Sequence, residues 1–171
     1  MEQKQKRILE TIRNKPEEFV KEHFKDPEGN PLVLASYQTQ ALRDIVNRQN
    51  NRFILCAATQ SGKSEIISVV LAIVALLSNN EVILNVSRTQ AQANIIFERT
   101  KAHLVEDSPL ISDFVDYSKS SAPYKKEFSK TRLFMHDGNE FRSMSTGVAQ
   151  NELAGEKLLG FGCTTLSIDE S

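Results

Sequence analysis

Lys63 and Ser64 close the run Ala57-Ala58-Thr59-Gln60-Ser61-Gly62-Lys63-Ser64, and a lysine beside a hydroxyl after a glycine can handle a polyphosphate. In such a loop, backbone N–H groups at the start of a helix wrap the phosphate oxygens. Lys63 would neutralise the β and γ oxygens, and Ser64 would ligate Mg²⁺. A chance match to Ala/Gly-x4-Gly-Lys-Ser/Thr in a chain of 171 residues has a probability of about one per cent from average residue frequencies. Ala57 stands where the loop usually begins with glycine, so support is needed from elsewhere in the chain. Asp169 and Glu170 are one source: adjacent carboxylates after the apolar run Leu166-Ser167-Ile168. Asp169 would hold the metal through its water shell, and Glu170 would polarise an attacking water as general base. Alone, such a pair is commonplace on protein surfaces; downstream of a phosphate loop it gains force. Tyr37-Gln38 is the other source, because a glutamine amide matches the N6/N7 edge of adenine while an aromatic ring stacks on the base. A helix cap with a half-buried tyrosine is the alternative reading of that pair.

These residues need elements to hold them. Arg52 to Ala57 reads as a strand leading into the loop, and Lys63 to Leu77 as a helix, apolar nearly all round and so buried against a sheet. Glu81 to Val86 reads as a second strand, and 89–105 as a helix with Ala93, Ile96, Phe97 and Leu104 turned inward. A shorter helix follows near 109–116. Lys125–Phe128, Arg132–Met135 and Glu140–Met144 are shorter β-like pieces, the last two joined by the turn residues His136-Asp137-Gly138-Asn139. Cys163 to Ile168 reads as the strand that presents Asp169 and Glu170, after a glycine-containing loop over 147–162. Upstream, 2–24 reads as two helices divided at Pro16, 26–31 as a loop, and Tyr37 to Arg48 as a helix capped by Ser36. Strands alternating with long helices predict an α/β fold with a mainly parallel sheet.

Composition sets the remaining bounds. With 40% apolar and 25% charged residues and a net charge of -1, nothing global points to nucleic acid or an anionic membrane. The longest apolar run is too short to span a bilayer, and Met1 to Arg7 lacks a signal-peptide core. The expectation is one domain in a soluble, intracellular and not secreted protein. Cys56 and Cys163 are expected as small buried side chains in strands, without a disulfide. His23, His103 and His136 lack metal-ligand spacing and read as surface residues. Residues 117–132 interleave Lys119, Lys125, Lys126, Lys130 and Arg132 with Tyr117, Tyr124 and Phe128. That run reads either as a DNA-facing patch or as a solvated hairpin edge guarded by lysines.

In order, Tyr37-Gln38, the Gln60-Ser61-Gly62-Lys63-Ser64 loop, Ser87-Arg88-Thr89-Gln90-Ala91-Gln92-Ala93 and Ile168-Asp169-Glu170 resemble the ATPase half of a large terminase, the DNA-packaging motor of tailed bacteriophages. The introductory Pro16-Glu17-Glu18-Phe19-Val20 segment is similar too. Gln60 stands where helicase loops more often carry glycine, which tilts the resemblance toward terminases. It implies a P-loop NTPase fold of the RecA-like, additional-strand catalytic-glutamate type. A helical lead-in would occupy 1–35 and a partial ATPase domain 36–171, without the nuclease domain. It also implies ATP and Mg²⁺ as cofactors, with Tyr37 and Gln38 on the adenine and Thr59, Gln60, Ser61, Gly62, Lys63 and Ser64 around the phosphates. Ser64 and Asp169 would serve the metal, and Lys63 and Glu170 would be catalytic. Thr59 stands where many terminases carry an arginine finger, so that charge is left to Arg88, equally readable as a surface residue, or to a neighbouring subunit.

The implied activity is ATP hydrolysis coupled to translocation of double-stranded DNA into a procapsid. The implied partners are DNA, the portal, the small terminase subunit and further copies in a ring, in the host cytoplasm and transiently at the portal. A superfamily-two helicase-like translocase and a non-catalytic nucleotide-binding fragment are the competing readings. In ATPases of this type the strand after the Asp-Glu pair inserts between the loop strand and the Asp-Glu strand. The chain stops at Ser171, so the expectation is an exposed gap in the sheet and little turnover by this polypeptide alone.

Overall fold

The computed structural model describes residues 2–47, 52–56, 58, 60–120, 131–146 and 162–169. Two amphipathic helices open the chain, α1 (Glu2–Asn14) and α2 (Pro16–His23), with Pro16 in the first turn of α2 as its fixed φ allows. Ile8, Ile12, Phe19, Val20 and Phe24 bury one face of this pair in the core. The segment 26–31 closes on itself through a Lys25–Pro31 bridge and hydrogen bonds to the Asp26 carboxylate. Helix α3 (Ser36–Val46) starts one residue before its expected first residue. Ser36 is helical, not the cap, and Ala35 takes the cap position with its N–H satisfied by Gln38 Oε1 at 2.8 Å. Arg43 reaches back to Glu17, tying α3 to α2.

Helix α4 (Lys63–Leu77) has the expected bounds and fills the middle of the molecule. Its nearest helical neighbours are α3, α1, α5 (Gln90–Lys101) and the turn after it, and its buried residues share one core with Ile83, Leu133 and Phe141 of the sheet. An all-apolar helix needs cover on every side, and this arrangement supplies it. Thr89 caps α5, accepting from Gln92 N at 3.2 Å, while Gln92 Oε1 accepts from Thr89 N. The helix continues as a π turn (Ala102–Glu106), then α6 (Pro109–Ser112) and α7 (Tyr117–Ser120).

The strands are β1 (Val82–Ser87), β2 (Arg132–Phe134), β3 (Glu140–Ser145) and β4 (Thr165–Asp169), in the spatial order β2-β3-β1-β4. β1 pairs parallel with β3 and with β4; β2 and β3 form the expected antiparallel hairpin, with Gly138 at φ +88° in its turn. The fold is thus mixed α/β with a mostly parallel sheet flanked by helices. Ile83, Asn85 and Ser87 share one face with Phe141 and Ser143, and that face meets α5: Phe97 stacks on Phe141 at 5.4 Å, and Ser143 Oγ donates to Ala93 O at 2.8 Å. Ala93, Ile96, Phe97 and Leu104 are all buried, as their spacing requires.

The expected strand over Arg52–Ala57 is not seen. Residues 52–56 carry no β-structure, Ile54 is 91% exposed, and Phe53 and Leu55 are also exposed; Ala57 lies outside the described residues. β-propensity describes fit to a pleated, half-buried surface, and among the described residues this segment has neither a pairing neighbour nor cover. β4 ends the strand order, and its Leu166 and Ile168 are 51% and 59% exposed. Both cysteines depart from expectation: Cys56 is exposed, Cys163 is half-buried just before β4 begins, and neither sits in a strand. The β-like piece expected over Lys125–Phe128 lies outside the described residues.

Candidate functional site

The phosphate-type loop is held at the N-terminus of α4. Gly62 caps the helix in the left-handed region (φ +86°, ψ 27°), and Gln60 also has positive φ, at 60°. Ser61 N and Ser61 Oγ both reach Ala58 O, at 3.3 and 2.6 Å, which closes a turn before the glycine. A Cβ at position 62 would lie 2.9 Å from Gln38 Nε2 and displace that amide, and the positive φ favours glycine there in any case. Lys63 and Ser64 are the first two helical residues, half-buried, where free N–H groups and the positive end of the helix dipole coincide.

Tyr37 and Gln38 stand against this loop. The Tyr37 hydroxyl donates to Ser61 O, and Gln38 Nε2 donates to Gly62 O at 3.1 Å. The structure therefore brings Tyr37, Gln38, Ser61 and Gly62 into direct contact, and Lys63 and Ser64 follow in the chain. Asp169 belongs to a second group at the C-terminal edge of the sheet. It is 6% exposed and in register with Ser87 of β1, whose buried Oγ has no hydrogen-bond partner among the described residues. Ligands of parallel sheets bind beyond this edge. Exposed Arg88 follows Ser87 there. Thr59 and Glu170 lie outside the described residues, as does most of the basic run 117–132. Of its described members, Tyr117 and Lys119 sit in α7, with Lys119 paired to Asp116 at 3.3 Å, and Arg132 lies in β2.

A partly buried ionic cluster on the loop's helix has no counterpart in the sequence reading. Glu65, on the first turn of α4, accepts from Arg99 Nε and Nη2 at 2.9 and 2.8 Å, both on Oε2. Glu65 Oε1 is buried with no hydrogen bond among the described residues, and lies 3.6 Å from His103 Nε2. His103, read as a surface residue, is fully buried. Its Nδ1 meets Asp107 Oδ2 at 2.7 Å, its ring stacks on Phe24 at 4.5 Å, and Ser68 Oγ lies 3.4 Å from Nε2. Asp107 also accepts from Lys25 N at 2.9 Å, so the cluster joins the loop helix, α5 and the lead-in. The available signal was spacing: Arg99, His103 and Asp107 recur every fourth residue, on one helix face with the inward-turned Ile96 and Thr100.

Burial alone would push the His103 imidazole down, but Asp107 and Glu65 outweigh it and hold it above its ordinary value of 6.5. Burial opposes ionisation of Glu65 and Asp107 too; His103 and Arg99 prevail, and both carboxyls titrate below their ordinary 4.5 and 3.8. A base with a raised folded value contributes stability that is complete below its unfolded value and lost as pH rises through the folded one. Burial pushes His23 down, which gives a slope of opposite sign over the same range, so the readout is a difference. The stability of the wild type over His103→Gln, from urea unfolding, is expected to be largest near about pH 6 and to shrink toward about pH 9. A difference that stays constant or grows with pH contradicts a charged His103.

The sequence matches no protein-family profile and no curated protein. By structure, 93% of this chain aligns with a solved bacteriophage protein at a TM-score of 0.66 and 18% sequence identity, spanning 37% of that protein's length. In fold, the chain is similar to the large terminase of bacteriophage HK97.

Proposed function

We propose that this chain carries the Mg²⁺–ATP site of a DNA-packaging motor of the large-terminase kind. The observation that supports this most is the loop itself: a left-handed Gly62 at the mouth of a buried helix whose first two residues are Lys63 and Ser64. The described residues include the donor types that such a group takes: a lysine and a hydroxyl opening α4, and a buried carboxylate at the end of β4. They contain no cluster of three metal-ligating side chains, and Mg²⁺ on a nucleotide needs none, being held by phosphates, waters, one hydroxyl and a carboxylate. Ser64 would be the hydroxyl, and Asp169 the carboxylate, acting through the ion's water shell. Lys63 neutralises phosphate oxygens, the N–H groups opening α4 orient them, and Tyr37 and Gln38 receive the adenine. When bound, Mg²⁺ offsets the charge on the β and γ oxygens. Glu170 would take the proton of the attacking water, and the stabilising arginine would come from Arg88 or a second copy. Double-stranded DNA, a portal, a small subunit and a ring of copies follow as partners, in the host cytoplasm.

One observation favours a narrower second reading, nucleotide binding without turnover. The segment 52–56 that leads into the loop has no β-structure, so among the described residues no strand anchors the loop from its N-terminal side.

Binding of ATP by calorimetry, with and without Mg²⁺, tests the metal assignment. In the wild type Mg²⁺ is expected to tighten ATP binding about tenfold, or about 1.4 kcal/mol, and in Asp169→Asn to tighten it by no more than about twofold. An equal gain from Mg²⁺ in both proteins removes Asp169 from the metal site.

A further inference from the structure

We propose that Tyr37 and Gln38 are positioning residues of the phosphate loop, fixing the direction of its N–H donors before any nucleotide arrives. The inference rests on the nucleotide-site reading above and adds a role that adenine contact does not require.

The geometry is that of two adjacent peptide planes. In a trans peptide the C=O of one residue points opposite to the N–H of the next, and no peptide among the described residues is cis. Ser61 O accepts from the Tyr37 hydroxyl, so Gly62 N–H is turned away from α3. Gly62 O accepts from Gln38 Nε2 at 3.1 Å and from Ile66 N at 3.1 Å, so Lys63 N–H is turned the same way. Two side chains of another element thus set the two donors at the end of the loop. Without Tyr37, a segment with left-handed Gln60 and Gly62 could flip the Ser61–Gly62 plane and aim a carbonyl at the phosphates, while Gln38 reinforces a Gly62–Lys63 plane that Ile66 N also holds.

Gln38 suits this task because both ends of its amide are engaged. Oε1 accepts from Ala35 N at 2.8 Å and Nε2 donates to Gly62 O, and the residue is 7% exposed. An amide has two donors and two lone pairs. One of each is spent here, and one of each is left for a base edge. Adenine recognition and loop positioning can therefore share one side chain, and the aromatic face of Tyr37 is likewise separate from its hydroxyl.

Mg²⁺–tripolyphosphate, which has no base, separates the two roles. Its affinity and that of Mg²⁺–ATP would be measured by calorimetry for the wild type, Tyr37→Phe, Gln38→Ala and Lys63→Ala. Tyr37→Phe keeps the ring and removes one hydrogen bond, and is expected to weaken both ligands about fivefold. Gln38→Ala is expected to weaken both about tenfold. Because it also strips the cap of α3, Tyr37→Phe, with an unchanged ligand-free melting temperature, is the deciding variant. Tripolyphosphate binding kept within about twofold while ATP binding weakens means base contact only, and overturns the proposal. Tighter binding in Tyr37→Phe overturns it too, since the contacts would then hold the loop shut. Weakening by Lys63→Ala alone leaves the phosphate site standing without its latch. No weakening by Lys63→Ala removes the site itself, and the latch with it.

Discussion

Asn139→Ala is expected to lower the stability of the fold by about 3–5 kcal/mol, read as a fall in the urea midpoint without a change in slope. Asn139 is fully buried in the β2–β3 turn. Its Nδ2 donates to Ala75 O at 2.9 Å and Ser78 O at 2.8 Å, two carbonyls at the C-terminal end of α4 that the helix cannot satisfy itself. Its Oδ1 accepts from Glu81 N at 2.8 Å, at the start of β1. One side chain therefore fastens the hairpin, the end of the loop helix and the central strand. Alanine would leave three main-chain groups without their partner, at about 1–3 kcal/mol for each that stays dry. For a domain whose total stability is about 5–15 kcal/mol, that is a large share. Asn139→Asp keeps the acceptor but sets a carboxylate against two carbonyls, and is expected to be no better. A loss below about 1 kcal/mol for Asn139→Ala would mean that water replaces all three bonds.

Periodicity made the helices legible. The bounds of α4, the inward set Ala93, Ile96, Phe97 and Leu104, and the hairpin around Gly138 all follow from local pattern and turn chemistry. What local pattern cannot report is who the neighbour is. Residues 52–56 have the apolar composition of a strand, yet a strand exists only by pairing, and this one has no ladder. Helix α4 was legible as buried, but its cover turned out to be helices as much as anything else. His103 was misplaced for a related reason. A lone histidine in a charged stretch reads as solvated until the fold brings Glu65 from α4 and Phe24 from the lead-in against it. Within the candidate site, the loop and the Tyr37-Gln38 pair were legible as chemistry. That the pair touches the loop's carbonyls was not, because hydrogen bonds between α3 and the loop have no periodic signature.

The second large effect is expected at Lys63. Half-buried Lys63, at the first position of α4, would meet phosphate where the helix dipole also favours negative charge. Truncating one partner of such a pair costs about 2–4 kcal/mol, a weakening of roughly 30- to 1,000-fold. Alanine is a good residue for a helical position, so Lys63→Ala should melt like the wild type and lose affinity alone. Calorimetric titration of Mg²⁺–ATP into the wild type and Lys63→Ala is therefore the most direct test of a nucleotide site at this loop. Saturable binding by the wild type and at least about 30-fold weaker binding by the variant are predicted. Equal affinities, or no binding by a folded wild type, would contradict it.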